Sequence, residues 1–581
     1  MAFPYEIDGI LGDMTNRRDE SQKAPTAQEA MDFTGQPIPP EQKAKGLANS
    51  QRRTAVSLRR RGTFARTGAT FSLLSAAFFG RGDATVSVDF KGAAHPRSRM
   101  GTFSVGSDRA LIFLRPEHQR DLMALQKDIG FRYLRCHGLF NEEMKIVSRQ
   151  PDGSLRFDWT DVDAFIGQLR KAKLKPFFEL GFMPEAIASG RQTIFYWKGN
   201  VTPPAKMEEW SLLVSEFAKH LIAKYGAREV RNWYFEVWNE PNLDGFWTGG
   251  KQKYFELYTA SARSLKRVDP NLRVGGPATA GMGWIPELLE YCRTNGVPID
   301  FIASHSYAAT QGFLDENGRG GGTILVTTPG TLVDEFTKAK HDIEKSAFPK
   351  IPLFITEWGP SYSPRDPIHD SYVCAPFILD KIRRCEGIVD GMSYWAFSDQ
   401  FEEPGPPNTP FHGGFGLLNV DGLRKPAFFA YSMLSKLYGT EISVDGPGVV
   451  ATKKGDAMRV LLWDYSPPKA DAPNNPFYLR DIKPSNLGTT AVEIRNLPNG
   501  TYKVSRWGVG YGRNDVYDAF IQMKDVKAQG AHLPEETLRN LRASYAPAER
   551  LPDVVVQDGT AHIRLPMRTN DVWFLDIARE K

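Results

Sequence analysis

The pattern of apolar and polar positions changes character three times along the chain. Over residues 1–50 neither a two-residue nor a 3.6-residue period is sustained, so no packed element is predicted there. At Ala84 strict alternation begins, Ala84-Thr85-Val86-Ser87-Val88-Asp89-Phe90, the pattern of a strand with one buried face. Eight short apolar runs follow, at 100–105, 131–137, 174–181, 233–239, 272–276, 300–305, 353–358 and 387–397. Between them, stretches such as 117–129, 161–173, 208–226 and 252–268 carry apolar residues three and four apart, as a helix with one buried stripe does. Strand then helix, eight times, predicts an α/β fold of the (β/α)8 TIM-barrel kind. After about Thr440 short alternating runs return, at 458–463, 490–494, 502–507, 560–565 and 572–577, broken by one helical stretch at 534–543. Gly, Pro and Asn turns separate them, which predicts a C-terminal β-sandwich. The expected organisation is a disordered leader or unprocessed signal region over 1–82 and an N-terminal strand over 83–98 that joins the sandwich. The barrel then takes 99–437 and the sandwich 438–581.

Composition narrows the function classes. A length of 581 residues allows two or three domains with ample core, and a net charge of +5 is small for that length. Nucleic acid is therefore not expected as a partner, since it calls for a concentrated basic face. Aromatic residues make up 12% of the chain, including 12 Trp, which suits stacking on sugar rings as well as a large core. Cys136, Cys292, Cys374 and Cys385 have no metal-like or C-x-x-C spacing and read as buried thiols. Arg52, Arg53, Arg59, Arg60, Arg61 and Arg66 precede an uncharged run from Thr67 to Gly80, the layout of a secretory signal with a twin-arginine hint. Its internal position fits a start site placed upstream of a true signal, and the expectation is export to the periplasm or beyond rather than a cytoplasmic location. The apolar run is too short to cross a bilayer as a helix, so no membrane partner is expected.

Two strands end in chemistry. Trp233-Tyr234-Phe235-Glu236-Val237-Trp238 is a strand-forming run that stops in Asn239-Glu240-Pro241-Asn242, where Pro cannot join a sheet ladder. Glu240 is thus placed at the carboxyl end of a buried strand, among Trp233, Trp238 and Trp247, where a carboxyl group would hold its proton. Pro352-Leu353-Phe354-Ile355-Thr356-Glu357-Trp358-Gly359-Pro360 repeats that shape. Two carboxylates on the fourth and seventh strand ends of one barrel face match glycoside cleavage, in which one protonates the leaving oxygen and the other attacks the anomeric carbon or activates water.

The wider set of motifs is specific. Arg135-Cys136-His137-Gly138, Val237-Trp238-Asn239-Glu240-Pro241, Ser304-His305-Ser306-Tyr307, Thr356-Glu357-Trp358, Tyr394-Trp395-Ala396-Phe397 and Phe401-Glu402-Glu403, in this order, resemble glycoside hydrolase family 39, nearest its β-xylosidase branch, with α-L-iduronidases as relatives. The resemblance runs over about residues 84–581. It implies that Glu240 is the acid/base and Glu357 the nucleophile of a retaining exo-glycosidase that releases β-D-xylose from xylo-oligosaccharides. Asn239 would hydrogen-bond the sugar 2-hydroxyl, and Tyr307 would donate to the nucleophile. His137 and His305 are candidate sugar contacts or satisfied buried histidines. Trp358 and Trp395 are candidate stacking rings or core, and one of Glu402 and Glu403 is a candidate acceptor for a sugar hydroxyl.

Two departures bear on which sugar is taken. Asn141-Glu142-Glu143 stands where the family usually has paired Asp, and Gly359 replaces a more usual polar residue. The glycine-rich run 318–322 lacks the Lys-Ser/Thr of a phosphate loop, and no metal-ligand spacing appears, so no cofactor or metal is expected. The expected partner is an oligosaccharide substrate, and a homo-oligomer is allowed. Rival readings are a β-glucosidase, α-L-arabinosidase or uronidase on the same machinery, and a carbohydrate-binding protein without catalysis.

Overall fold

The apolar runs become the strands of a closed barrel in a computed structural model that describes residues 84–312, 322–445, 448–523, 526 and 528–580. The leader expected over 1–82 and residues 318–321 of the glycine-rich loop lie outside the described residues. Strands β1 (Ser104–Arg109), β2 (Tyr133–His137), β3 (Lys175–Leu180), β4 (Tyr234–Val237), β5 (Arg273–Ala280), β6 (Phe301–Tyr307), β7 (Leu353–Gly359) and β8 (Gly391–Tyr394) pair in order, and β8 closes on β1. Every pair is parallel. The helices that follow the strands are α1 (Pro116–Asp128), α2 (Thr160–Lys171), α3 (Met207–Tyr225), α4 (Gly250–Val268), α5 (Ile285–Asn295), α6 (Val333–Glu344), α7 (Cys374–Cys385) and α8 (Pro426–Lys436). The chain therefore folds as the expected (β/α)8 barrel.

Two predicted strands are corrected. The run 100–105 is not the first strand: Met100–Thr102 forms a 3-10 turn, and β1 begins at Ser104. β1 reads Ser-Val-Gly-Ser-Asp-Arg and is buried throughout, so its polar side chains conceal it from an apolar-pattern search. The eighth strand is shorter than 387–397, because Gly387 (φ +79°) starts a turn and the ladder begins only at Gly391.

Along β2, residues Tyr133, Arg135 and His137 share one face of the strand, at rising heights. Tyr133 joins Phe103, Phe177, Tyr234, Phe301 and Phe354 in an aromatic plug at the amino-terminal end of the barrel interior. Above this plug the interior becomes polar. There the ladder carries four register shifts: one between Ser107 and Arg109 of β1, one between Pro277 and Thr279 of β5, and two in β7, against β6 at Ser304/His305 and against β8 between Ile355 and Trp358. The shift of β7 against β6 leaves Thr356 as an extra residue, so that both Thr356 and Glu357 face the interior; such bulges re-aim side chains next to active sites.

Ala84–Asp89 pairs in parallel with Asn486–Arg495 and antiparallel with Val444–Asp445, and Ala561–Arg568 completes that sheet. The facing sheet runs Ala94–Pro96, Thr440–Ile442, Val449–Lys454, Ala457–Trp463, Val572–Arg579, Gly500–Val509 and Glu549–Arg550. Val88, Val460, Val492, Val504, Leu565 and Leu575 belong to the core between the sheets. The sandwich thus draws strands from both ends of the described chain. Among the described residues, no helix is long and apolar enough to cross a membrane.

Candidate active site

Arg135 organises the polar upper half of the barrel. Its side chain is fully buried, and its Nε donates to Glu236 Oε2 at 2.6 Å, Nη1 to Glu357 Oε1 at 2.7 Å and Nη2 to Asn239 Oδ1 at 2.9 Å. Glu179 Oε2 lies 2.9 Å from the same Nη2. One guanidinium, with its donors in a fixed planar fork, thereby locks β2, β3, β4 and β7 together. Glu236 also accepts from Thr356 Oγ1 at 2.7 Å, and burial lifts its pKa to about 7 despite Arg135. Alternation along β4 puts Glu236 on the side of Glu240, two layers lower, where an arginine such as Arg135 can reach it; the sequence does not reveal that the same arginine holds Glu357.

Glu357 receives a second donor, Tyr307 Oη, on its other oxygen at 2.8 Å. Across the pocket, Glu240 Oε1 lies 3.0 Å from His305 Nδ1, and Glu357 Oε2 lies 3.7 Å from that same nitrogen. Oxygens of Glu240 and Glu357 and the nitrogen of His305 all lie within 4.8 Å of one another. Burial, reinforced by the charge of Glu357, raises the Glu240 pKa well above the usual carboxyl range. His305 is driven the other way by burial and by Arg135 and His137, so it is a neutral imidazole, and its Nε2 has no hydrogen-bond partner among the described residues. Glu240, His305 and Glu357 have the donor atoms to hold an ion, but their contacts with one another, with Arg135 and with Tyr307 already account for the charges present.

Glu240 is presented by strained backbone: Trp238 (φ 69°) and Glu240 (φ 45°) are both left-handed, and Glu240 N–H donates to Ala278 O at 2.7 Å. The expected ring of tryptophans is only partly formed. Trp233 turns outward onto Phe178 and Tyr225, while Trp238 and Trp247 pack on each other, with centroids 4.8 Å apart. Asn239 is better placed. Arg135 occupies its Oδ1, which by hydrogen-bond logic leaves Nδ2 as a donor toward the pocket.

His137 sits between two carboxylates, with Nδ1 2.7 Å from Glu179 Oε2 and Nε2 3.0 Å from Glu403 Oε1. Burial opposes the imidazolium, but these two glutamates outweigh it and hold the His137 pKa well above its usual value. Glu403 is itself pushed up to about 8, mainly by burial. Trp395 lies against His137 at 4.7 Å between centroids and beneath the Arg135 guanidinium at 5.6 Å. It fits there because position 106 is glycine: a Cβ at that point would stand 2.2 Å from Trp395 Cε3.

Two candidates are not brought to the pocket. Trp358, following the bulge, points outward and packs on Phe377 of α7 and on Tyr394, so it is core. Glu402 is taken by Arg109, 2.8 Å from its Oε2, and by Arg115, whose Nη2 donates to Oε2 at 3.0 Å. That leaves Glu403 as the pocket-facing member of the pair. Arg109 also binds Glu143 at 2.7 Å, so the glutamate that departs from the family pattern anchors the rim. Arg109 and Arg115 escape a sequence reading because their partners lie in distant segments. The hairpin aromatics Phe195 and Trp197, near His137 at 5.6 and 6.5 Å, are missed for the same reason, although three adjacent aromatic residues are a visible signal.

A closed barrel with two buried glutamates facing each other at the ends of β4 and β7 defines a glycoside hydrolase. The family model for glycosyl hydrolases family 39 matches residues 84–465, and the chain belongs to that family. It is 46% identical over 343 residues to a β-xylosidase of Caldicellulosiruptor saccharolyticus, covering 59% of this chain and 69% of that protein. With a β-xylosidase of Geobacillus stearothermophilus it shares 39% identity over 368 residues, covering 62% and 73%. The crystal structure of a monomeric β-xylosidase from Caulobacter crescentus CB15 superposes with a TM-score of 0.81 and 42% identity, over 86% of this chain and all 100% of that one.

Proposed function

We propose that this glycoside hydrolase is a retaining exo-β-xylosidase that removes β-D-xylose from the non-reducing ends of xylo-oligosaccharides. The observation that carries the reading is the closeness of the Glu240 and Glu357 oxygens, which with His305 lie within 4.8 Å. Retaining glycosidases hold their carboxyl groups about 5–5.5 Å apart, and inverting ones about 6.5–9.5 Å to admit a water between them. The β-xylosidase relatives support the choice of sugar.

In the first step Glu357, held by Arg135 and Tyr307, attacks the anomeric carbon. A bond forms from its oxygen to that carbon, the bond from carbon to the leaving oxygen breaks, and Glu240 gives its proton to that oxygen. In the second step Glu240, now ionised, takes a proton from water as the water oxygen displaces Glu357. Asn239 Nδ2 donates to the 2-hydroxyl, a contact that strengthens as positive charge develops on the ring. Glu403 and His137 take the distal hydroxyls, and Trp395 supports the ring face. An acid with a raised pKa beside a nucleophile held by two donors divides the roles between two like side chains.

The test is hydrolysis of p-nitrophenyl β-xyloside by wild type, Glu357→Ala and Glu240→Ala, each with and without azide. Glu357→Ala should lower kcat/KM by about a hundredfold or more, whereas Glu240→Ala should lower kcat by about that much, because p-nitrophenolate leaves with little help and the loss falls on hydrolysis of the glycosyl-enzyme. Azide should restore Glu357→Ala with an α-xylosyl azide product and Glu240→Ala with a β-product. Turnover of another glycoside instead of the xyloside would move the sugar and keep the mechanism. A folded wild type silent on every glycoside would point to the binding-protein alternative.

A further inference from the structure

A short hairpin follows β3, with Thr193–Ile194 paired to Gly199–Asn200. Its tip, Phe195-Tyr196-Trp197-Lys198, turns on two left-handed residues, Phe195 (φ 65°) and Lys198 (φ 57°). The two flanking rings point into the molecule. Phe195 stacks near His137 at 5.6 Å and meets Phe246 at 5.4 Å; Trp197 packs on Phe182 at 5.7 Å and beneath the Arg109 guanidinium at 5.7 Å. Between them, Tyr196 N–H donates to Glu403 O at 2.8 Å. Its ring covers Gly405 (φ +93°), 3.5 Å from where a side chain there would begin. The remainder of the ring is open, making Tyr196 62% exposed.

The hairpin therefore leaves the barrel after β3 and lands on the loop after β8, crossing the ends of β2 and β1, which lie between those strands in the barrel order. The acid side of the site is elsewhere. Glu240 ends β4 and is held from β5 and β6 by Ala278 and His305. A leaving group protonated by Glu240 lies toward β4–β6, so the opposite, non-reducing end of the reacting sugar lies toward His137 and Glu403, under the hairpin. A further sugar joined at that end would have to pass through Phe195 and Tyr196.

We infer that the hairpin tip at 195–198 is the wall that ends the site after one sugar, so that a chain is cut only at its terminal residue. This deepens the proposed function and rests on it. An exposed aromatic ring is ordinary on a protein surface. This one is pinned by its backbone to the carbonyl of a pocket residue, and its two neighbours line the pocket, which makes the tip part of the site.

The test uses p-nitrophenyl β-xylobioside and p-nitrophenyl β-xyloside with the full chain, a variant carrying Gly-Gly in place of 195–198, and the double variant Phe195→Gly/Tyr196→Gly. With the wall intact, the bioside loses its terminal xylose first, and xylobiose is not released. With the wall removed, the disaccharide spans the opening, and xylobiose and p-nitrophenol are released together, with xylobiose about tenfold or more above the wild-type level. Variants that still cleave the xyloside but release only xylose from the bioside overturn the inference. The double variant Phe195→Gly/Tyr196→Gly keeps the loop length, removes both blocking rings and decides the matter if the shorter loop does not fold. A wild type that cleaves neither substrate overturns the proposed function, and this inference with it.

Discussion

Tyr307 and Glu240 show how single side chains set the chemistry. Tyr307 donates to Glu357 Oε2 at 2.8 Å, so Tyr307→Phe removes one hydrogen bond to a carboxylate and leaves the ring in place. Such a bond on a developing charge is worth about a tenfold to a hundredfold in kcat, and that fall should appear with an unchanged unfolding temperature. If kcat and stability fall together, the phenol is packing rather than tuning the proposed nucleophile. Glu240 is raised by burial and then by the negative charge of Glu357, so removing that charge should lower its pKa. Carboxyl 13C titration of Glu240 in Glu357→Gln should move to lower pH than in wild type; an unmoved titration would mean the two carboxyl groups are not coupled. Stability follows the same sign. Glu240, Glu403 and His137 all hold their protons more tightly folded than unfolded, so their contribution is complete in acid and is lost as pH rises through their folded pKa values, which for Glu403 is about 8. Thermal unfolding of Glu403→Gln should therefore weaken less than wild type as pH rises from about 5 to 9.

At the scale of elements, β1 shows what an apolar pattern conceals. Gly106 leaves room for Trp395, and a methyl group there would stand 2.2 Å from the indole. Gly106→Ala should cost about 1–3 kcal/mol by overpacking and should raise KM, as thermal unfolding and steady-state kinetics would report. Unchanged kinetics would show that the Trp395 ring does not support the sugar. Strands ending in Glu were legible because their lower halves are apolar and their ends are punctuated by Pro: β4 and β7 could be read from Trp233 to Pro241 and from Leu353 to Pro360. β1 was not, because its buried positions include Ser, Gly, Asp and Arg: Ser107 meets His118 of α1, Asp108 accepts from Glu402 N–H, and Arg109 pairs with Glu143. The extra residue in β7 was also hidden, since a bulge is defined by the strand beside it. It is why Trp358 turned out to be core while Thr356 and Glu357 both face inward. Glu402 and Glu403 could not be told apart from adjacency alone; Arg109 and Arg115, nearly three hundred residues earlier in the chain, separate them.

For the whole molecule, the sandwich is tied to the catalytic face. Its excursion after Trp463 carries Asn474, fully buried, whose Nδ2 donates to Asp366 Oδ2 at 2.9 Å and whose Oδ1 accepts from Leu325 N–H at 2.9 Å. Its own N–H donates to Thr323 O at 2.7 Å. Thr323 and Leu325 follow β6, and Asp366 follows β7, the strands that supply Tyr307 and Glu357. One asparagine of the C-terminal domain thus fixes two active-site loops, much as Arg135 fixes four strands. The apolar core agrees with this reading, since Val450, Leu461, Val509 and Phe574 of the sandwich share a cluster with the barrel helices. Asn474→Ala keeps the backbone bond and removes both side-chain bonds, leaving Leu325 N–H without its acceptor while Asp366 Oδ2 keeps the Thr323 hydroxyl. The cost should be about 1–3 kcal/mol for that stranded donor, seen as a lower unfolding temperature in a single transition. If the sandwich also orders the loops, kcat on p-nitrophenyl β-xyloside should fall at temperatures where the variant is still folded. A variant that loses stability yet keeps full kcat below its transition would make the domain a support for the fold alone. Two separate transitions, barrel and sandwich melting apart, would break the shared-core argument as well.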